Sequence, residues 1–374
     1  MKILFVCGGG RIYGKEIVTL SLMEGFRKRG HEVMCVTSTW GGAFAERLDA
    51  IKVPYVRLPL GFISKTLRLD ALWMTFAQLL KLPQLWLGYR RTVDEFKPDF
   101  VIYSTFHFLI LLWPLLDAKK TIFHVHDFFK PAPFYRLAMN FLNLRIHAFV
   151  GVSKFIQDSL LQLGLPKGKI YFVLNGIDID SEIINNGVGN LKPVTIGIVG
   201  QVGEWKGHND FIEALKLLKD WNVAFQAVIF GEGDPKYVQG LQEKIESFQL
   251  TSQVHWRGYV KDKKEIYHQV DVVVILSHCQ EAFSIVTNEA QHFGIPIIAT
   301  RVGAIPEIIE DRETGFLVSP NFPPELAQKL KMLIQDSTLR KRIGQAGHHH
   351  AFKYLNQSRM AQEIEGLLLK MAHV

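Results

Sequence analysis

The chain is poor in the features that would tie it to a secreted, membrane-spanning or disordered class. It has three cysteines in 374 residues, Cys7, Cys35 and Cys279. An odd count with no close pair excludes a disulfide framework and points to a reducing compartment, and no thiol has a partner at metal-ligand spacing. A long charge-free apolar helix is also missing. The longest candidate, Phe100–Ala118, contains Ser104, Thr105, His107 and Pro114. A spanning helix needs about 20 apolar residues, so this run is read as a buried strand over 100–104 and a buried helix over 106–117. The opening "MKILFVCGGG" has one lysine followed by five apolar residues before a glycine run, too few for a signal-peptide core and right for a first β-strand. Repeats and low-complexity segments are lacking, and 48% hydrophobic with 21% charged residues is a globular balance.

Acidic residues are scarce in the first half. Residues 1–187 carry 23 Lys+Arg against 15 Asp+Glu, whereas residues 188–374 carry 20 against 21. A basic half joined to a neutral one suits an anionic surface or substrate on the basic side. The segment "LRLDALWMTFAQLLKLPQLWLGYRR" intersperses aromatic and aliphatic residues with Arg68, Lys81, Arg90 and Arg91. That composition suits helices packed on a sheet, the reading taken here, and also helices lying on a membrane surface.

Short apolar runs alternate with helical patterns, first over Lys2–Cys7, Glu32–Thr37, Phe100–Ser104, Thr121–His126, Ala148–Ser153 and Tyr171–Leu174. After a linker-like "NNGVGNLKP" at Asn185–Pro193, the alternation restarts over Val194–Val199, Phe225–Phe230, Asp271–Leu276, Pro296–Thr300 and Phe316–Val318. Helices are expected over Asp210–Leu218, Glu325–Ile334 and Ser337–Ile343. Strand–helix alternation predicts parallel sheets covered on both faces. Two series predict two Rossmann-like domains facing across a cleft, with ligands at the carboxyl ends of the strands.

Several motifs carry chemistry. In "GQVGEWKG" a glycine loop follows a strand, and Lys206-Gly207 opens a helix. Free amides and the positive end of a helix dipole attract an anion there, and Lys206 adds a full charge, which together suit a diphosphate. "CGGGRIYGKEI" offers Gly8, Gly9, Gly10 and Gly14 after the first strand, but a G-x-G-x-x-G fingerprint would need glycine where the chain has Tyr13. In "EAFSIVTNE", Glu281 lies just ahead of a helix and Glu289 in its second turn, with the exposed amides of Phe283, Ser284 and Ile285 between them. Carboxylates accept hydrogen bonds from sugar hydroxyls, so Glu281 suits a hexose and Glu289 a ribose. A hydrolytic pair would need the carboxyls about 5–10 Å apart, whereas continuous helix between them would give about 12 Å. The "GHHHAF" histidines at 347–352 do not share a helix face, which argues against a three-histidine metal site. Asp178 and Asp180 read as turn and cap residues.

Taken together, "EAFSIVTNE", "GIPIIATRVGAIPEII", "TGFLV" and "GQVGEWKG" resemble the family 4 retaining glycosyltransferases of GT-B fold. "VSKFIQDSLLQLGLPKGKIYFVLNGID", "HVHD", "VIFGEGDP" and "VHWRGYV" extend the resemblance over nearly the whole chain. It implies an acceptor-side domain over 1–187, a nucleotide-sugar domain over 188–350 and a C-terminal helix over 351–374 packing back on the first. It further implies metal-independent transfer of a hexose-type sugar, with retention, from a nucleotide-diphosphate donor to a saccharide or lipid-linked saccharide, as in polysaccharide biosynthesis. By resemblance the catalytic residues are His126, Lys206 and Glu281. Donor contacts fall to Gly14, Gln201, Lys206, Val260, Glu281, Phe283, Ser284, Ile285 and Glu289. No metal or other cofactor and no nucleic acid is implied. The expected place is the cytoplasm, with a peripheral contact at the inner membrane surface through the basic domain. Gln201 stands where the family usually has arginine, which removes a bidentate phosphate contact. A sugar-nucleotide epimerase or hydrolase, and a nucleotide-sugar-binding protein with weakened catalysis, remain the alternatives.

Overall fold

A computed structural model describes residues 1–9, 12–40, 42–61, 69–179 and 193–372. Gly10, Arg68, Asp180 and most of the expected linker (185–192) lie outside the described residues. The chain divides into two compact units, Met1–Asp178 with Gln357–Val374, and Ile179–Asn356.

The first unit runs β1 (Lys2–Val6), α1 (Gly14–Lys28), β2 (Glu32–Ser38), α2 (Gly42–Ala50), β3 (Tyr55–Leu58), α3 (Leu69–Leu80), α4 (Leu82–Phe96), β4 (Phe100–Tyr103), α5 (Phe106–Leu112), β5 (Thr121–Val125), α6 (Pro133–Asn143), β6 (Ala148–Gly151), α7 (Lys154–Gln162) and β7 (Ile170–Phe172). Its seven parallel strands are ordered β3-β2-β1-β4-β5-β6-β7. Strands β4 and β5 are buried at every residue, as expected of parallel strands covered on both faces. The run Phe100–Ala118 is therefore core: β4, then α5, then a 3-10 turn at Trp113–Leu115. No helix among the described residues is long and apolar enough to cross a membrane.

The second unit runs β8 (Val194–Val199), α8 (His208–Asp220), β9 (Phe225–Phe230), α9 (Pro235–Ser247), β10 (Val254–Gly258), α10 (Lys263–Tyr267), β11 (Val272–Ile275), α11 (Ile285–His292), β12 (Ile297–Thr300), α12 (Ile305–Ile308), β13 (Phe316–Val318), α13 (Pro323–Gln335) and α14 (Ser337–Tyr354). Its six parallel strands are ordered β10-β9-β8-β11-β12-β13. One core cluster, with Phe211, Leu215 and Leu330, and another, with Phe230, Tyr267 and Phe293, bury the sheet's apolar residues.

The helix expected over 351–374 is in fact two pieces over its described residues. Helix α14 continues to Tyr354, the Asn356 amide group caps its last turn on the Phe352 carbonyl at 2.7 Å, and α15 (Gln357–Ala372) follows. Helix α15 packs on α1 within the first unit. Ala361 lies so close to Gly25 that a Cβ there would meet it at 2.7 Å, and Gln357 Nε2 donates to Ser21 Oγ at 3.2 Å.

In both units the strand order reverses once, between β1 and β4 and between β8 and β11. In open α/β sheets, ligands bind outside the carboxyl ends of the strands at such a reversal.

Candidate active site

In the second unit, β8 and β11 lead into the two loops that carry the charged residues. Past β8 the chain passes through Gly200 and Gln201 and makes a 3-10 turn at Glu204–Lys206 before Gly207 opens α8. Gly207 has φ 69°, and a Cβ there would lie 2.2 Å from the Leu276 carbonyl oxygen. Only glycine allows that turn to lie against the end of β11. The close approach sets Lys206 beside the other loop, where its ammonium pairs with Glu281 Oε1. Ser277 Oγ donates to the same oxygen at 2.5 Å. The two loops are tied a second time: His278 donates its backbone N–H to the Trp205 carbonyl and pairs through Nε2 with Asp210 Oδ2, both at 2.8 Å.

Glu281 is fixed from behind by the "VGAIPE" loop. Ala304 N–H donates to the Glu281 carbonyl at 2.8 Å, and Gly303 N–H to Gln280 Oε1 at 2.8 Å. Gly303 has φ 54°, and a Cβ there would sit 2.2 Å from the Glu281 carbonyl oxygen. The glycine thus lets this loop press on the backbone that aims the carboxylate.

Helix α11 starts at Ile285 with Ser284 as its cap. Ser284 Oγ accepts from Thr287 N–H at 3.3 Å and from Thr287 Oγ1 at 2.7 Å. The serine hydroxyl therefore serves the helix, while the amides at the start of the helix have no carbonyl one turn back to bond. Those amides and the helix dipole form the positive end expected there. Glu289, 4% exposed, pairs with Lys263 and accepts from Tyr267 Oη at 3.0 Å. Tyr267 in turn stacks on Phe293, with centroids 4.8 Å apart. Gln201 is exposed on its loop, and Val260 packs half-buried against the core cluster that holds Phe230 and Phe293.

Of the residues expected from the sequence, Lys206 and Glu281 meet directly, and Phe283, Ser284, Ile285 and Glu289 follow on α11. Sequence reasoning missed Ser277, His278 and Asp210, which join the loops, and Lys263 and Tyr267, which hold Glu289. Polar Ser277-His278 directly after an apolar strand was the available signal for the first group.

In the first unit, a cavity of about 480 Å3 lies at the carboxyl ends of β1, β2, β4 and β5. Its wall combines Gly8, Gly9, Lys15 and Glu16 with Trp40, Thr105, Phe106, His107, Asp127, Phe128 and Tyr135. Glu16 is 2% exposed, accepts from Tyr13 N–H at 3.0 Å and lies 3.8 Å from the Lys15 ammonium. Burial pushes its carboxyl above the usual range despite Lys15. Gly14 is the first residue of α1. His126 is half-buried just past β5, with Nε2 3.1 Å from His124 Nδ1. Burial first, then His124 and Lys15, hold His126 well below the usual histidine range, and burial takes His124 down to about 4. Both rings are thus neutral near pH 7. His126 itself does not line the cavity among the described residues; His107 and Asp127 do.

The three consecutive histidines of α14 diverge. His348 Nδ1 lies 2.6 Å from the His292 carbonyl oxygen, and His350 faces Glu310 at 3.8 Å. Among the described residues, no group of three or more His, Cys, Asp or Glu is placed to hold a metal ion.

Residues 12–181 match the family model described as Glycosyltransferase Family 4, and residues 180–350 match Glycosyl transferases group 1. The chain is 27% identical over 234 residues to the capsular polysaccharide biosynthesis glycosyltransferase CapM of Staphylococcus aureus, covering 58% of this chain and 60% of that one. It is 38% identical over 170 residues to the D-inositol 3-phosphate glycosyltransferase of Corynebacterium diphtheriae, covering 44% and 40%. The chain spans about half the length of the curated relatives it matches. Among solved structures, Anabaena HepE in complex with UDP and glucose has the same fold, with TM-score 0.80 and 21% identity over 99% of this chain and 100% of that one. Two family matches running end to end over residues 12–350, on two parallel α/β units, make this chain a member of the glycosyltransferases of GT-B fold.

Proposed function

We propose that the protein transfers a hexose-type sugar, with retention and without a metal, from a nucleotide-diphosphate donor to a saccharide or lipid-linked saccharide acceptor. The observation that carries the reading is the meeting of Lys206 and Glu281, 75 residues apart in sequence, where the strand order reverses between β8 and β11. A nucleotide-diphosphate sugar needs a cation for the diphosphate and acceptors for its hydroxyls, and that pair supplies one of each.

In this reading the sugar–oxygen bond to the diphosphate breaks and a bond to the acceptor oxygen forms on the same face. The acceptor proton leaves on the departing phosphate oxygen. Negative charge grows on that oxygen, and the Lys206 ammonium with the amides of Phe283, Ser284 and Ile285 stabilises it without reorganising. Glu281 takes donor-sugar hydroxyls once Lys206 turns to the diphosphate. Glu289 takes the ribose hydroxyls, exchanging Lys263 for them. Gln201 and the backbone at Val260 complete the donor contacts of the second unit, while in the first unit the backbone at Gly14 and neutral His126 offer hydrogen-bonding groups to a sugar. Without arginine at 201, Lys206 carries the larger share of phosphate binding. The cavity of the first unit takes the acceptor, its aromatic walls suiting the apolar faces of sugar rings and its Glu16, Asp127 and Lys15 suiting hydroxyls. The reading places the protein in the cytoplasm, touching the inner membrane surface through its basic half.

The names of the relatives favour transfer over the epimerase, hydrolase and binding-protein alternatives, since CapM is a capsular polysaccharide biosynthesis glycosyltransferase. The deciding experiment is a thermal-shift panel of UDP-, GDP- and ADP-sugars followed by product analysis with the stabilising donor. A ligand at 100 times its Kd adds about 2.7 kcal/mol to the folded state. Stabilisation by one donor, and glycoside with the donor's anomeric configuration, is the expected result. Isomerised or merely hydrolysed donor, or no shift with any donor, would overturn the reading.

A further inference from the structure

A nucleoside diphosphate brings two phosphate groups to its site, and Lys206 is a single cation already shared with Glu281. Gln201 on the same loop is neutral. Among the described residues, a second cation reaches a carboxylate of the site from the stretch between β10 and α10, "RGYVKDKKE". Arg257, Lys261 and Lys264 are exposed there, whereas Lys263, the first residue of α10, is half-buried and pairs with Glu289 Oε1. Asp262 fixes the backbone at that point: its Oδ1 accepts from Lys264 N–H at 2.9 Å and caps α10.

The two groups that hold Glu289 differ in freedom. Tyr267 is fully buried, stacks on Phe293 and donates to Oε2 at 3.0 Å, so it fixes the carboxylate. Lys263 keeps 36% of its side chain exposed on a flexible stem, so it is the partner that can leave. Glu289 is itself buried, and a buried carboxylate stripped of its cation is costly unless other donors replace it. Two ribose hydroxyls are such donors. Release of Lys263 is therefore tied to the arrival of a nucleoside. Glu289 stands one helical turn past Ile285, about 6 Å along α11 from the amides assigned to the diphosphate. A ribose carries its first phosphate on the carbon next to its ring, so a ribose held at Glu289 sets that phosphate within reach of the lysine stem.

We propose that Lys263 is the second cation of the donor site: ribose hydroxyls replace it on Glu289, and its ammonium passes to the diphosphate. This role rests on the donor reading and extends it. Phosphate that lacks a nucleoside does not displace Lys263, so the site grips nucleotides and passes over free pyrophosphate.

The test is calorimetry of the full chain with UDP, GDP and ADP, then with the nucleoside of the best-bound of them and with inorganic pyrophosphate. Lys263→Met should weaken the nucleoside diphosphate about tenfold or more and leave the nucleoside no weaker, while Lys263→Arg, which keeps the charge, should restore most of the loss. Glu289→Gln removes the charge that Lys263 must leave. It should weaken the nucleotide, which loses its ribose contact, yet bind pyrophosphate about threefold or more tightly than wild type. Combined Lys263→Met and Glu289→Gln should lose that gain. Should Lys263→Met alone melt early because Glu289 is left unpaired, the pyrophosphate comparison between Glu289→Gln and the combined variant, which has no unpaired carboxylate, decides. A Lys263→Met chain that binds the nucleoside diphosphate as well as wild type, or better, makes Lys263 a mere lock on Glu289 and overturns the proposal. So does loss of nucleoside and nucleoside diphosphate by one factor, which is the mark of a structural support, and so does a pyrophosphate gain that survives in the combined variant. A wild-type chain that binds none of the three nucleoside diphosphates overturns the donor reading and this role together; wild-type binding with an unchanged Lys263→Met overturns this role alone.

Discussion

Lys206 is charged, partly exposed and held by a single carboxylate, so it can exchange that partner for a phosphate. Lys206→Ala should weaken donor binding in the thermal-shift assay and cut turnover about 100-fold or more; an unchanged rate would remove it from the diphosphate. Glu281→Ala should reduce transfer by a similar factor while nucleotide diphosphate alone still binds, read by calorimetry with and without the sugar. Equal loss of both would deny its assignment to the sugar. At the same scale, the buried His124 sets a pH limit. Its folded pKa, about 4, lies below the usual 6.5, so the unfolded chain binds the extra proton first. Stability is therefore full above about pH 6.5 and falls as pH drops towards 4, by about 3 kcal/mol for this one ring. Denaturant titrations of wild type and His124→Phe across that window should diverge, with the variant the less acid-sensitive. Parallel curves would mean that the ring is solvated.

At the scale of elements, the site depends on glycines that let loops touch. Gly207→Ala and Gly303→Ala each put a Cβ within 2.2 Å of a carbonyl oxygen at a positive φ. Each is expected to cost about 2–3 kcal/mol and to move Lys206 or Glu281 off position. Both effects are visible as a lower denaturant midpoint and a lost donor shift, whereas a midpoint equal to wild type would show that the loops yield freely. The sequence made most of these elements legible. Val194–Val199, Phe225–Phe230 and Phe316–Val318 form strands over the expected residues, because parallel strands largely buried on both faces are mostly apolar runs. Strand β3 (Tyr55–Leu58) went unseen: it is four residues long, half-exposed at its edge, and carries Arg57. Helix α14 was read too short because its middle, "GQAGHHH", has little apolar periodicity; its buried Gly344 and Gly347 allow close backbone approach instead.

At the scale of the whole molecule, each unit has its own sheet and core, and the first is completed by the last helix of the chain. Helix α15 buries Met360, Ala361, Ile364 and Leu368 and pairs Glu365 with Arg29 and His31. Ending the chain at Asn356 should lower the melting temperature of the first unit markedly or leave it unfolded. A single Ile364→Ala is expected to cost about 2–4 kcal/mol by chemical denaturation, and a neutral result would mean that α15 is only loosely attached. What the sequence by itself determined is the two-series α/β alternation, the identity of Lys206, Glu281 and Glu289, and the polarity of the helix start between them. All of these follow from local periodicity and local chemistry. Only the tertiary structure decided that Lys206 and Glu281 pair and that Lys263 and Tyr267 hold Glu289. Those facts depend on strand order and loop contact between residues far apart in the chain, which periodicity cannot encode.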